Sequence, residues 1–346
     1  MNTDGPRPSV AVGGAAPGLA GGTGAALGEF DLIRRYFTGM GAERADVTLG
    51  VGDDAALLEP AAGREHVVTV DAIVAGRHFP AGTEPRSIGH RALAVNLSDL
   101  AAMGADPKWA TLALTLPKAD PRWLDGFAAG FAALAREHEV ALVGGDTTAG
   151  PLTVSVQLIG DVPRGAALRR DGARPGDLLV VTGTLGDSGA GLALRLGTLS
   201  TAESAAAAEL ERRFDYPTPR VAFGRAARGL ASAAMDLSDG LAGDLPKLVA
   251  ASRVAAQVEI ANLPLSAALR RVASLEQARD WAIGAGDDYE LLLTVPAGRL
   301  EALTAAAGQL NLTLTVVGRI VAGEGVGWTL AGRSVAPRLT GYDHFR

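Results

Sequence analysis

Nine aspartates, Asp53, Asp54, Asp71, Asp99, Asp146, Asp236, Asp239, Asp287 and Asp288, stand beside glycines, small residues or the ends of strand-like runs. Glycine lets backbones approach closely and turn sharply. A chain built this way must fold so that carboxylates from distant segments can converge. Oxygen-rich convergence suits hard divalent cations, and Mg²⁺ typically takes one or two carboxylates together with substrate phosphates. Taken singly, each aspartate also has an ordinary reading: Asp236 and Asp239 suit a helix N-terminus, Asp99 a solvated helix position and Asp53 an Asx turn. Thr69 and Asp71 are more specific. Positions i and i+2 of a strand share a face, so both project together while Val68 and Val70 are expected to pack behind them.

The 346 residues suit two domains. Residues 1–27 form a Gly/Ala/Pro-rich segment that we expect to be a disordered tail, since it lacks the leucine-rich centre of a signal peptide or a membrane span. From Glu29 the pattern alternates. Helices are expected at 29–38, 87–103 and 122–138, with strands at 55–58, 66–73, 109–116, 140–143 and 152–160. Gly104 and Pro107 stop the second helix. A polar stretch at 161–171 separates this unit from a second one, which opens on the apolar strand 178–181, a Gly-rich turn and a helix at 188–196. The expected fold is mixed α/β, with an N-terminal domain over 28–161 and a C-terminal domain over 162–346.

Several function classes drop out. Lysine occurs only at Lys108, Lys118 and Lys247, each after a proline, so no G-x-x-x-x-G-K-[ST] phosphate loop exists. The glycines at 183, 186, 189 and 191 do not spell G-x-G-x-x-G, although such a strand-to-helix turn could hold an anion. With 32 basic against 38 acidic residues, the chain lacks the footprint of nucleic-acid binding. The absence of cysteine removes disulfides, thiolate metal sites and cysteine nucleophiles, and makes the cytoplasm the expected compartment.

An ordered set of motifs carries a resemblance. GEFDLI (28–33), GVGDDAALL (50–58), TVDAIVAGRHF (69–79), ALAVNLSDLAAMGADP (92–107), VGGDTT (143–148) and RRDGARPGD (169–177) run through the first half and its border. VTGTLGDSGAGL (181–192), MDLSDGL (235–241), GAGDDYEL (284–291) and GYDHF (341–345) follow. In these the chain resembles the thiamine-monophosphate kinases. The resemblance implies an aminoimidazole-ribonucleotide-synthetase-like architecture, with N-terminal sheets pairing across a homodimer and nucleotide bound between domains. It also implies ATP-dependent phosphorylation of thiamine phosphate to thiamine diphosphate in thiamine diphosphate biosynthesis, with several Mg²⁺ ions. Carried over residue by residue, Asp54, Thr69, Val70, Asp71, Asp99, Asp146, Asp236 and Asp239 correspond to metal ligands. Gly145, Asp146, Arg170 and Ser238 correspond to nucleotide contacts, and His78, Asp287 and Tyr342 to contacts with thiamine phosphate.

Three departures stand out against the family pattern. Val70 replaces a frequent Thr, which suits a carbonyl ligand; Asp287 replaces a usual Glu and reaches about one methylene less far; Tyr342 replaces a Trp found in some members. Relatives of the same fold that depend on cysteine are disfavoured in a cysteine-free chain. A phosphate monoester is already anionic near neutral pH, its second pKa being about 6, so no general base and no covalent enzyme intermediate are expected.

Overall fold

The computed structural model describes residues 29–338 and residue 341. The segment 1–27 and Tyr342 lie outside the described residues. Among the described residues, no helix is long and apolar enough to cross a membrane.

The first expected helix is divided. One α-turn, α1 (Glu29–Leu32), widens into a π-helical turn over Ile33–Phe37 that carries Tyr36 and Phe37 into the core. A small antiparallel pair, β1 (Val47–Leu49) and β2 (Leu57–Leu58), frames the acidic loop containing Asp53 and Asp54. Then come β3 (Arg64–Val74), α2 (Pro85–Ala102), β4 (Asp106–Leu116), α3 (Pro121–Glu137), β5 (Ala141–Ala149) and β6 (Thr153–Pro163). The strands form one sheet in the order β3-β6-β4-β5, in which only β4 and β5 run parallel. Parallel neighbours need a crossover connection, and α3 supplies it. Asp120 caps that helix by accepting from the Arg122 amide at 2.9 Å, with Pro121 in the first turn.

β5 is longer than the expected strand at 140–143, because the VGGDTT motif continues it instead of turning away. Gly145 makes this possible. Its φ is +152°, and a Cβ there would stand 1.9 Å from the Leu112 carbonyl on β4, so a side chain would push the two strands apart.

The second unit contains β7 (Leu178–Thr182), α4 (Asp187–Arg195), α5 (Ser204–Asp215), α6 (Val221–Ala227), β8 (Ala233–Asp236), α7 (Leu241–Ser252), β9 (Ala255–Glu259), α8 (Ala267–Val272) and α9 (Leu275–Gly284). It closes with β10 (Leu291–Val295), α10 (Leu300–Gln309), β11 (Leu314–Val321), β12 (Gly325–Leu330) and β13 (Arg333–Ser334). Their sheet has the order β13-β12-β9-β11-β7-β10-β8, and only β12 and β9 are parallel. β10, flanked by β7 and β8, is buried along its whole length, in keeping with the mostly apolar LLLTV.

α2 is the spine between the two units. Leu93, Leu97 and Leu100 are fully buried, but so are Arg91, Asn96 and Ser98 on its other sides. A helix buried all round shows little amphipathic contrast; Arg91 and Ser98 turn toward the second unit, whereas Asn96 bonds back to β3.

The expectation that Val68 and Val70 pack behind Thr69 and Asp71 is reversed. Thr69 and Asp71 face α2, whereas Val68 and Val70 are 55% and 65% exposed on the uncovered face of the sheet. Strand alternation states that the two sets oppose each other, not which set the helices will cover.

Candidate active site

A cleft of about 320 Å³ opens where β3 and α2 of the first unit face the loops that follow β8 and α9. Asp71, Asp99, Asp236, Asp239 and Asp287 line it, with Arg77, His78, Ser238 and Tyr289. Thr69 Oγ1 donates to Asp99 Oδ2 at 2.5 Å, and Asn96 Oδ1 accepts from the Asp71 amide at 3.1 Å. Ser98 Oγ, one residue before Asp99, donates to Asp236 Oδ2 at 2.8 Å across the interdomain boundary. Three side chains of one helix therefore place carboxylates from β3 and β8 around a common space.

Crowding like charges in a half-buried cleft disfavours ionisation. Burial, then the charges of Asp99 and Asp239, raise the Asp71 carboxyl to about 6. Burial and Asp99 raise Asp236 to about 7. Asp99 is also raised by burial, against the opposing Thr69 hydrogen bond and the positive charge of Arg170. None of these three carboxylates has an ion-pair partner among the described residues. The donor set fits a hard divalent cation, whose charge would relieve the repulsion. The carboxylates ring the space without closing on one point: among the described residues no three His, Asp or Glu groups form a ready-made metal cluster. Phosphate oxygens would have to complete a coordination shell there. Asp239 differs, since Lys247 Nζ stands 2.6 Å from it and 2.8 Å from Asp244.

The opposite wall is the GAGDDYEL loop. Asp287 and Tyr289 adopt left-handed backbone conformations, with φ of +60° and +50°, a strained state for non-glycine residues. Hydrogen bonds hold the loop: the Asp287 amide donates to the Ser238 carbonyl at 2.8 Å, and Ser188 Oγ donates to the Asp287 carbonyl at 2.8 Å. The Asp287 carboxylate accepts from Tyr289 Oη at 3.2 Å and pairs with the Arg91 guanidinium at 2.5 Å. Arg91 is 3% exposed, donates to the Phe214 carbonyl at 2.6 Å and lies 4.6 Å above the Phe214 ring. Sequence reading missed Arg91 because its signal is only a charge within an apolar helical run.

Two further acidic residues of that loop serve the fold. Asp288 accepts from the Gly186 and Ser188 amides at 2.7 and 3.3 Å, so the glycine turn that could hold a foreign anion is already filled by a carboxyl of this chain. Its burial, partly opposed by those amides, pushes its carboxyl to about 8. Glu290 is fully buried between Arg213 and Arg220 and accepts from Thr182 at 2.7 Å.

Asp54, Gly145, Asp146 and Arg170 lie outside the cleft lining. Asp54 is exposed in the β1–β2 loop. Gly145 and Asp146 line a separate cavity of about 30 Å³ with Val51. Asp146 lies opposite Ala113, which pairs through Ser155 with Ala72 on β3. Three strand spacings, about 14 Å, therefore separate it from the cleft edge. Arg170 lies outside the cleft lining and acts on Asp99 through its charge. His78 lines the cleft, and its Nδ1 accepts from the Val74 amide at 3.0 Å, which leaves the ring proton on Nε2. Gly341, the residue before Tyr342, packs against Gly243 and the carbonyl of Asp239.

The N-terminal domain family of AIR synthase related proteins matches residues 52–162, and the corresponding C-terminal domain family matches residues 174–330. Fold and cleft thus define a two-domain protein of the AIR-synthase-related class. Thiamine-monophosphate kinase of Salmonella typhimurium is 47% identical over 321 residues, covering 92% of this chain and 99% of that protein. The crystal structure of thiamine-monophosphate kinase from Stenotrophomonas maltophilia matches with a TM-score of 0.80 at 49% identity, over 85% of this chain and 93% of that one. A structure of AaThiL complexed with AMPPCP and TMP matches with a TM-score of 0.74 at 34% identity, over 85% and 92% of the respective chains. The chain belongs to the thiamine-monophosphate kinase family.

Proposed function

We propose that this protein transfers the γ-phosphoryl group of ATP directly to thiamine phosphate, giving ADP and thiamine diphosphate, in the cytoplasm. The observation that carries this reading is the interdomain cleft walled by Asp71, Asp99 and Asp236 without cationic side chains paired to them, in a chain of this family. The complex of a relative with AMPPCP, an ATP analogue, and TMP supports the two substrates.

In this reading residues 28–161 form the ATP- and Mg²⁺-binding domain that also dimerises, and residues 162–346 complete the site. Asp71, Asp99 and Asp236, with Thr69 and the Val70 carbonyl, would hold Mg²⁺; Asp239 would hold a further ion when Lys247 moves aside. Bound Mg²⁺ would neutralise the phosphate charge that otherwise opposes the meeting of two polyanions. Ser238, Gly145 and Asp146 serve the nucleotide, and Arg170 supplies a fixed positive charge. His78 presents Nε2–H to the acceptor, while Asp287, held by Arg91, and Tyr342 orient its organic part. The acceptor oxygen is already anionic, so no residue needs to take a proton from it. The uncovered sheet face bearing Val68 and Val70 pairs in a homodimer, and a second copy is the natural source of Asp146 and Asp54 for a cleft they do not reach within one chain. Chromatography of thiamine phosphate, ATP and Mg²⁺ incubated with the protein should reveal thiamine diphosphate and an equal amount of ADP. ADP without thiamine diphosphate, or neither product, would defeat the reading.

A further inference from the structure

The cleft poses an electrostatic problem. Five carboxylates line it, yet the acceptor proposed above carries a phosphate with a charge of about −1.5 to −2 near pH 7. Among the described lining residues, Arg77 alone carries a permanent positive charge. Its guanidinium has no hydrogen-bond or ion-pair partner among the described residues, although Asp71, Asp99 and Asp239 line the same space. His78 supplies less, because its Nδ1 accepts from the Val74 amide and a neutral imidazole with that nitrogen as acceptor has at most one N–H to donate.

The local backbone aims both residues. Gly76, at φ +77°, reverses the chain immediately after β3. Its amide donates to the Phe79 carbonyl at 2.8 Å, and the amides of Arg77 and His78 both donate to the Val74 carbonyl, at 3.1 and 3.0 Å. Phe79, 3% exposed, anchors the turn in the core. The side chains of Arg77 and His78 thus leave a tight, hydrogen-bonded turn at the cleft wall. A guanidinium offers a planar fork of donors that matches two phosphate oxygens, which a single imidazole N–H cannot do.

We propose that Arg77 is a specificity-determining residue that grips the phosphate of the acceptor beside His78, and so makes the cleft select thiamine phosphate over unphosphorylated thiamine. The inference rests on the functional reading above and deepens it. Turnover with Mg²⁺ and ATP, and binding calorimetry with Mg²⁺ and AMPPCP, test it in the full-length protein, with thiamine phosphate and thiamine supplied separately to the wild type, Arg77→Lys and Arg77→Gln. Because Arg77 is exposed and unpaired among the described residues, all three proteins should melt within about a degree of one another. Arg77→Gln should lose at least tenfold of the preference for thiamine phosphate, with thiamine binding unchanged, and Arg77→Lys should lie between. The KM for ATP should stay within twofold. An unchanged preference in Arg77→Gln would overturn the assignment, as would a rise in the ATP KM with that for thiamine phosphate unmoved, which would hand Arg77 to the nucleotide. If the wild type forms no thiamine diphosphate, the functional reading and this inference fall together; if it does, only the role of Arg77 is at stake.

Discussion

Replacing Asp236 by Asn should make the metal-free protein more stable while removing most of its activity. Asp236 is 4% exposed at the end of β8, and burial together with the Asp99 charge raises its carboxyl from 3.8 to about 7. The folded chain therefore binds more protons than the unfolded chain between those values. Stability attributable to this group falls as pH rises from about 4 to about 7 and is level above that. At about 1.4 kcal/mol per pH unit, the ionised residue costs at most about 4 kcal/mol at pH 8. With an unfolding entropy of about 2.1 cal/mol/K per residue over 346 residues, that corresponds to about 6 °C in Tm. Asparagine keeps the shape and an oxygen able to accept from Ser98, but carries no charge. Thermal denaturation in EDTA should show a gain of up to about 6 °C at pH 8 that shrinks to about 1.5 °C at pH 4.5. Adding Mg²⁺ should stabilise the wild type more than the variant, and thiamine diphosphate formation should drop about a hundredfold, comparable to losing one electrostatic stabiliser. No gain at pH 8, or an equal gain at pH 4.5, would refute the argument that an ionised Asp236 is what the folded protein tolerates for function.

Three other outcomes follow from the same geometry. Arg91→Met should lower stability by about 2 to 3 kcal/mol, less than a fully buried pair because Asp287 is 28% exposed; in a thermodynamic cycle with Asp287→Asn the two losses should fall short of additive by at least about 1 kcal/mol. Val70→Asp should turn a dimer into a monomer by sedimentation without unfolding the chain, since it places a charge on a face already exposed in one copy. γ-Labelled ATP and Mg²⁺ without thiamine phosphate should leave no label on the protein and produce no ADP–ATP exchange, because direct transfer needs both substrates together.

Much of the chemistry was legible before folding. Aspartates at glycine turns, the missing phosphate-loop lysine and the ordered motifs are local features, so mixed α/β architecture, family and reaction class could be read from residue order alone. Strand periodicity also showed that Thr69 and Asp71 share one face of their strand and Val68 and Val70 the other. Only tertiary structure decided what those faces meet. Alternation is blind to which side of a sheet a helix will cover, so Val68 and Val70 were expected inside and stand outside. The buried Arg91 found Asp287, and Ser98 found Asp236 across a separation of 138 residues, because packing α2 between the units leaves its polar groups no water and one set of partners. Asp146 carries the same local signature as Asp71, yet strand order puts it at the far edge of the sheet. Sequence spacing specifies a residue's neighbours along the chain, whereas the distance between two carboxylates depends on strand order, which long-range pairing sets.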